Sequence, residues 1–223
     1  MERNTKINIV YRIAEKSAKN KVKVKPEWVN NKACLNNLIS IAPKGTKIVV
    51  LGDNLEDDTK TWIKELPVKF IETAAHGNSE TFIEALDYAL ELDDSEIVYF
   101  VEDDYIHRPG AIDMIQEGLE RADYVSLYDH PDKYNGQPKY LFLTDNSHWQ
   151  FTHSTTMTFA TKVKTLIYDE YVFRDLITTG NPPDHHIFMV LTQQLKRRLA
   201  SPIPGGATHG EAALLAPNVN WKS

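Results

Sequence analysis

The chain has 223 residues, 42% of them hydrophobic and 25% charged, with a formal net charge of −6 and a pI near 5.8. That length suits one domain with a sizeable core, and the acidic balance argues against a nucleic-acid binder, which carries a basic excess or stripe. The single cysteine, Cys34, excludes an intramolecular disulfide and a cysteine-built zinc site.

The first residues, MERNTKINIV, lack the apolar core of a signal peptide. No run approaches ~18 apolar residues, so no integral membrane segment and a cytoplasmic, reducing setting are expected. INIVYRI (7–13) reads as a strand. The basic stretch KSAKNKVKVK (16–25) reads as a solvated loop or a contact for phosphate or a membrane surface. PEWVNNKACLNNLISIA (26–42) places Trp28, Leu35, Leu38, Ile39 and Ala42 near one helical face behind a leading proline. Cys34 falls in that periodic segment, which predicts an inert buried thiol.

TKIVVLGD (46–53) is a strand candidate closed by Gly-Asp, DDTKTWIKEL (57–66) a short helix, and VKFIE (68–72) a strand. Asn78 or Ser79 can cap a helix over 80–92, where Phe82, Leu86, Ala89 and Leu90 share a face. EIVYFV (96–101) is a strand that runs into three acids, Glu102, Asp103 and Asp104; Pro109 then opens a further helix, and ADYVSLY (122–128) is again a strand. This alternation predicts an α/β sheet with helices on both faces, and ligands in such sheets sit beyond the carboxyl ends of the strands.

After about residue 130 the pattern changes. PDKYNGQPK reads as a turn-rich loop, YLFLT and HWQFTHSTTMTFA as strands, 161–178 and 184–199 as helices split by GNPP, and the tail from Ser201 as a long loop. Alternation along an extended strand would put Glu102 and Asp104 on one side and Asp103 on the other. Carboxylates at a strand's end suit a hard divalent cation that shares its oxygens with a phosphate; a solvated acidic turn is the plainer alternative.

The order and spacing of IVVLGDNLEDDT, AAHGNSETFIEALDYAL and EIVYFVEDDYIHRPGAIDMI resemble the nucleotide-sugar glycosyltransferases of the GT-A fold, in particular the family-2-like group. SPIPGGATHGE, HSTTMTFA and LYDHPDKY look like a recurring subgroup of small bacterial and viral members. The resemblance implies a Rossmann-like mixed sheet in one domain, with a nucleotide-sugar half (1–130) and an acceptor half (131–223). It implies a nucleoside-diphosphate sugar donor, UDP favoured, a glycan or other hydroxyl acceptor, and Mn²⁺ or Mg²⁺ as cofactor.

Carried onto this sequence, the family's nucleotide-sugar contacts fall on Asp53, Gly77, Asn78, Glu102 and Asp103. The metal role falls on the last acid of the DxD-like triplet, Asp104, and on His209 in the tail. The general base falls on Asp184, in TTGNPPDHHIF, and a base facing the leaving group implies inversion; a plain helix cap is its alternative role. The triplet departs from the family pattern in beginning with Glu. Tyr11 and Arg12, at the end of the first strand, are candidates to lie against a base and to pair with phosphate. Trp149, Tyr105 and Trp221 are either core or sugar-ring platforms, the threonines of 152–158 either strand residues or acceptor contacts, and Glu211 a neighbour of the metal site. His185 and His186 point about 100° apart on a helix, so both do not serve one metal. Two other readings stand beside the transferase: a non-catalytic nucleotide-sugar-binding domain, and a sugar-1-phosphate nucleotidyltransferase, whose GxGTR start is absent from residues 7–20.

Overall fold

The computed structural model describes residues 5–15, 24–73, 77–136 and 139–222. Of the basic stretch 16–25, only Val24 and Lys25 therefore lie within the described residues. The first half alternates as the pattern predicts: β1 (Ile7–Ala14), α1 (Asn31–Ile41), β2 (Lys47–Asp53), α2 (Asp57–Lys64), β3 (Lys69–Glu72), α3 (Asn78–Leu90), β4 (Ile97–Glu102), β5 (Tyr105–His107), α4 (Ala111–Gly118) and β6 (Tyr124–Val125). Then follow β7 (Leu141–Leu143), β8 (His148–Thr152), β9 (Phe159–Lys162), α5 (Val163–Leu176), α6 (Asp184–Met189), a π-helical turn over Val190–Gln194, β10 (Leu199–Ile203) and β11 (Ala207–His209).

Nine strands form one mixed sheet in the order β3-β2-β1-β4-β9-β6-β10-β8-β7. The β3, β2, β1 and β4 strands run parallel, while β9 inserts antiparallel between β4 and β6. This is the Rossmann-like GT-A architecture, with helices on both faces. Period-two alternation in β1 sorts the two cores: Ile7, Ile9, Tyr11 and Ile13 face α1, α2 and α4, while Val10 faces the aromatic core of α3, α5 and α6. Because both faces are covered, β1 reads as a nearly continuous buried run. Phe82 sits at the centre of the second core, 5.3 Å from Phe100 and 5.8 Å from Phe173, ring centroid to ring centroid.

Several boundaries differ from the sequence expectation for physical reasons. The first helix begins at Asn31, not near Pro26, because the Asn30 side chain accepts from the Ala33 amide and caps it there. The fourth begins at Ala111, because Gly110 precedes it in the left-handed region (φ 78°). The helix expected over 184–199 ends within the π-helical turn, and Leu199 already belongs to β10. The strand expected over 148–160 breaks into β8 and β9. The tail is not a loop throughout: β10 pairs with β6 and β8, and β11 pairs with β5 in a separate two-stranded sheet.

Candidate functional site

The parallel strands β1, β2 and β4 end together, and their last residues bring Arg12, Asp53 and Glu102 to one end of the sheet. The expected alternation does not run on from Glu102. The strand stops there, and Asp103 and Asp104 form a two-residue turn into β5. Each acid consequently meets its own set of partners.

Glu102 faces Arg12, whose guanidinium lies 3.2 Å from Oε1, and Thr158, whose hydroxyl donates to Oε2 at 3.3 Å and accepts from the Glu102 amide at 3.1 Å. Asp103 accepts from the Ala14 amide at 3.0 Å, tying the turn to the end of β1. Burial raises the Glu102 carboxyl to about 7; Arg12 opposes the shift, and the charges of Asp104, Asp184 and Asp103 add to it. Asp103 is raised as well, by burial first and then by Asp104. Crowded carboxylates held away from water favour the protonated form, so a positive charge among them would be welcome.

Asp104 is reached by a different route. β11 pairs with β5 in a register that sets His209 opposite Tyr105, and the Gly210 amide donates to the Asp104 carbonyl at 2.6 Å. Only glycine fits at 210, since a Cβ would stand 2.3 Å from Val29 Cγ1 and 2.7 Å from the Asp104 carbonyl oxygen. That close approach leaves His209 Nε2 3.4 Å from Asp104 Oδ2. The imidazole is held by the rings of Tyr105 and Tyr128, at 5.3 and 6.3 Å.

Two ligands each about 2.1 Å from one ion stand about 3.0–3.5 Å apart, so this oxygen and nitrogen fit a shared dication. The Glu211 amide donates to His209 Nδ1 at 3.2 Å, which places the neutral ring's proton on Nε2. Ligation through Nε2 therefore requires the tautomer to reverse. Among the described residues no group of three or more His, Cys, Asp or Glu side chains is arranged as a metal cage. Two protein ligands suit a hard cation that takes its remaining oxygens from phosphate and water.

The nucleotide-side candidates divide. Arg12 leaves β1 on the α3 side, where it bonds the Asn78 carbonyl (3.0 Å) and side-chain oxygen (2.6 Å) and lies over the Phe82 ring. Gly77 is the residue before α3, and Thr81 bonds its carbonyl through both amide and hydroxyl. Tyr11 points the other way and has no exposed surface, so no base can lie against its ring in this conformation. Burial also raises its phenol well above the ordinary value. Asp53 Oδ1, Arg12 Nε and Ser79 Oγ are buried with no hydrogen-bond partner among the described residues. Orphaned polar atoms cost stability, and these three lie at the ends of β1 and β2 and at the start of α3.

Asp184 is brought to this end of the sheet by the loop before α6. The Ser79 amide donates to the Gly180 carbonyl at 3.1 Å, docking that loop on the start of α3. Pro183, not Asp184, takes the position before the helix, and Asp184 Oδ1 accepts from the His185 amide at 2.6 Å. Burial raises the Asp184 carboxyl, with His185 and His130 opposing. A raised carboxyl at the site's edge has the property a general base needs.

Other residues resolve into packing. Trp149 is fully buried, with its indole N–H on Thr144, and Trp221 donates to the Ala216 carbonyl. Tyr105 is buried and bonds Thr156. The Thr155 and Thr158 hydroxyls are likewise occupied, by Ser126 and Glu102. Cys34 is buried and its thiol is pushed up to about 12, mainly by burial, as expected of an inert thiol. The sequence reading missed Thr158 as the partner of Glu102, and His130 as a neighbour of Asp184; the Asp-His-Pro turn at 129–131 gave the only hint of the latter. It also missed that Lys25 lies 3.4 Å from Asp104 Oδ2. Among the described residues no helix is long and apolar enough to cross a membrane.

The sequence model of Glycosyl transferase family 2 matches residues 22–174, more than half of the chain. No curated protein sequence matches it. Among solved structures, the fold is similar to GalNAc-T7 with UDP, GalNAc and Mn²⁺ (TM-score 0.67, 11% identity, 94% of this chain and 44% of that one). It is also similar to S. aureus TarS 1-349 (TM-score 0.52, 15% identity, 88% and 58%) and to a nucleotidyl transferase from Methanothermobacter thermautotroptrophicus (TM-score 0.54, 11% identity, 88% and 86%). The chain thus spans less than half of the GalNAc-T7 chain, and at these identities the likeness concerns the fold alone.

Proposed function

The chain belongs to glycosyl transferase family 2, and from that premise we propose that it moves a sugar from a nucleoside-diphosphate sugar, UDP-linked, to an acceptor hydroxyl with inversion and with the help of Mn²⁺ or Mg²⁺. The observation that carries the reading is the convergence of Asp104 and His209, 3.4 Å apart, beside Glu102, whose carboxyl feels the charge of Asp184. The presence of UDP and Mn²⁺ in the GalNAc-T7 structure supports the choice of carrier and ion.

In this reading the donor half is 1–130 and the acceptor half 131–223. Asp53 and the Gly77–Asn78 turn stand on the side that receives the nucleobase. Arg12 and Asp103 hold Glu102 and the end of β1 in place around the ribose. Asp104 and His209 hold the dication, which when bound neutralises charge developing on the leaving diphosphate. Asp184 takes the proton from the acceptor hydroxyl as that oxygen attacks the anomeric carbon; the C–O bond to the diphosphate breaks on the opposite face, and the bonding pair leaves with the nucleotide. Tyr11 has no part in it.

The test is to incubate the protein with UDP-, GDP- and dTDP-sugars, Mn²⁺ and a panel of hydroxyl acceptors. Release of free nucleoside diphosphate with a product of inverted configuration by NMR is the expected result. Retained configuration removes the base role of Asp184. Binding with no turnover on any acceptor supports a non-catalytic domain, and pyrophosphate release from a nucleoside triphosphate supports a nucleotidyltransferase.

A further inference from the structure

Among the described residues, Asp104 Oδ2 has an imidazole nitrogen and an ammonium at the same distance. His209 Nε2 lies 3.4 Å away on one side and the Lys25 ammonium 3.4 Å away on the other. Lys25 ends the basic stretch singled out in the sequence, and its segment is pinned beside the C-terminal loop because the Ala212 amide donates to the Val24 carbonyl at 2.8 Å. That pin brings both chain segments onto one carboxylate oxygen. Beyond Lys25 a cleft of about 620 Å³ opens between residues 24–28 and 212–222, with Trp28, Leu215 and Trp221 in its walls. The four-carbon stem of a lysine can swing into such a space, since its charge is a mobile point rather than a fixed fork.

We propose that Lys25 is a built-in rival of the dication at Asp104: its ammonium balances the carboxylate until the ion enters, is expelled by it, and then pairs with the diphosphate the ion brings. The inference rests on the assignment of Asp104 and His209 as dication ligands. A dication on Asp104 Oδ2 and an ammonium 3.4 Å from the same oxygen repel each other, so metal entry weakens the Lys25–Asp104 pair and the pair opposes metal entry. A nucleoside diphosphate reverses the balance: its oxygens neutralise the ion and offer Lys25 a new anion within reach of its stem. Lysine serves phosphate well as a point charge. The consequence is selectivity for the complex: the site takes metal together with diphosphate in preference to metal alone.

The experiment titrates MnCl₂ into wild type, Lys25→Met and Lys25→Arg, reading free Mn²⁺ by electron paramagnetic resonance, first without nucleotide and then with UDP present. Without nucleotide, Lys25→Met should bind Mn²⁺ roughly fivefold more tightly than wild type, the size expected for losing a partly buried competing ion pair, and Lys25→Arg should resemble wild type. With Mn²⁺ saturating, Lys25→Met should bind UDP about fivefold more weakly. Equal or weaker Mn²⁺ affinity in Lys25→Met overturns the inference while leaving the metal site standing. Tighter Mn²⁺ with unchanged UDP affinity overturns the diphosphate half of it. No Mn²⁺ binding to any of the three proteins, with or without UDP, removes the metal assignment itself and the inference with it.

Discussion

Replacing Glu102 by glutamine should remove part of the pH dependence of folding. In the folded chain the Glu102 carboxyl is raised from an ordinary 4.5 to about 7, because burial and neighbouring negative charge outweigh Arg12. Between those two values the folded state keeps a proton that the unfolded state has released, so stability is greatest at low pH and falls as pH rises through the window; above about 7 both states are ionised and the effect is complete. A shift of that size corresponds to roughly 3 kcal/mol, and the side chain's 24% exposure reduces it to on the order of 2 kcal/mol. For a domain of this length that is about 4–8 °C in Tm. Glu102→Gln is neutral throughout; its one carbonyl oxygen can still accept from Arg12, with its NH2 turned to the Thr158 hydroxyl. Asp103 and Asp184 are also raised and give the same sign of slope in both proteins, so the difference between the curves reports Glu102 together with its coupling to them. Calorimetric melts in EDTA from pH 5 to 8 make the comparison. Wild type should lose several degrees that the variant keeps; parallel curves would refute the argument that burial, not Arg12, governs this acid.

Three further outcomes follow from the same geometry. Asp184→Asn should retain donor binding and lower the transfer rate by about 10²–10⁴, read as kcat at saturating donor; near-normal turnover would reduce the residue to a helix-start contact. Gly210→Ala should push β11 off Val29 and the Asp104 carbonyl, cost about 1–3 kcal/mol in denaturant melts and weaken Mn²⁺ affinity in the same protein; a wild-type melt would contradict the packing described. Cys34 should resist a thiol reagent such as DTNB in the native protein and react on unfolding, since it is buried with its thiol raised to about 12; prompt native labelling would contradict that placement.

The first half of the fold was legible because its parallel strands are short apolar runs between amphipathic helices, and each boundary carries a local signal. The end of β4 was legible for the same reason: an apolar run cannot continue into Glu102-Asp103-Asp104. The tail was not. Its β10 contains Pro202, which argues against a strand in a sheet interior, yet the register leaves Pro202 without a β6 partner, since β6 reaches only Leu199 and Ala200. The convergence of His209 on Asp104 depends on the β5–β11 pairing, a contact between distant segments that no sequence spacing encodes. Tyr11 and Arg12 show the complementary failure. Adjacent residues at a strand's end were both expected at the ligand, but period-two alternation sends Tyr11 into the α1 core and leaves Arg12 on the α3 side. The threonines of 152–158 looked like spare hydroxyls, and the fold spends three of them on Ser126, Tyr105 and Glu102.

The most direct test is isothermal calorimetry of UDP with the wild-type protein and with Asp104→Ala, each with and without MnCl₂. Mn²⁺-dependent binding to wild type that disappears in a normally folded Asp104→Ala is the predicted result. Equal binding in the two proteins, or the same affinity with and without the ion, would contradict the claim that Asp104 is where a dication and a nucleoside diphosphate meet.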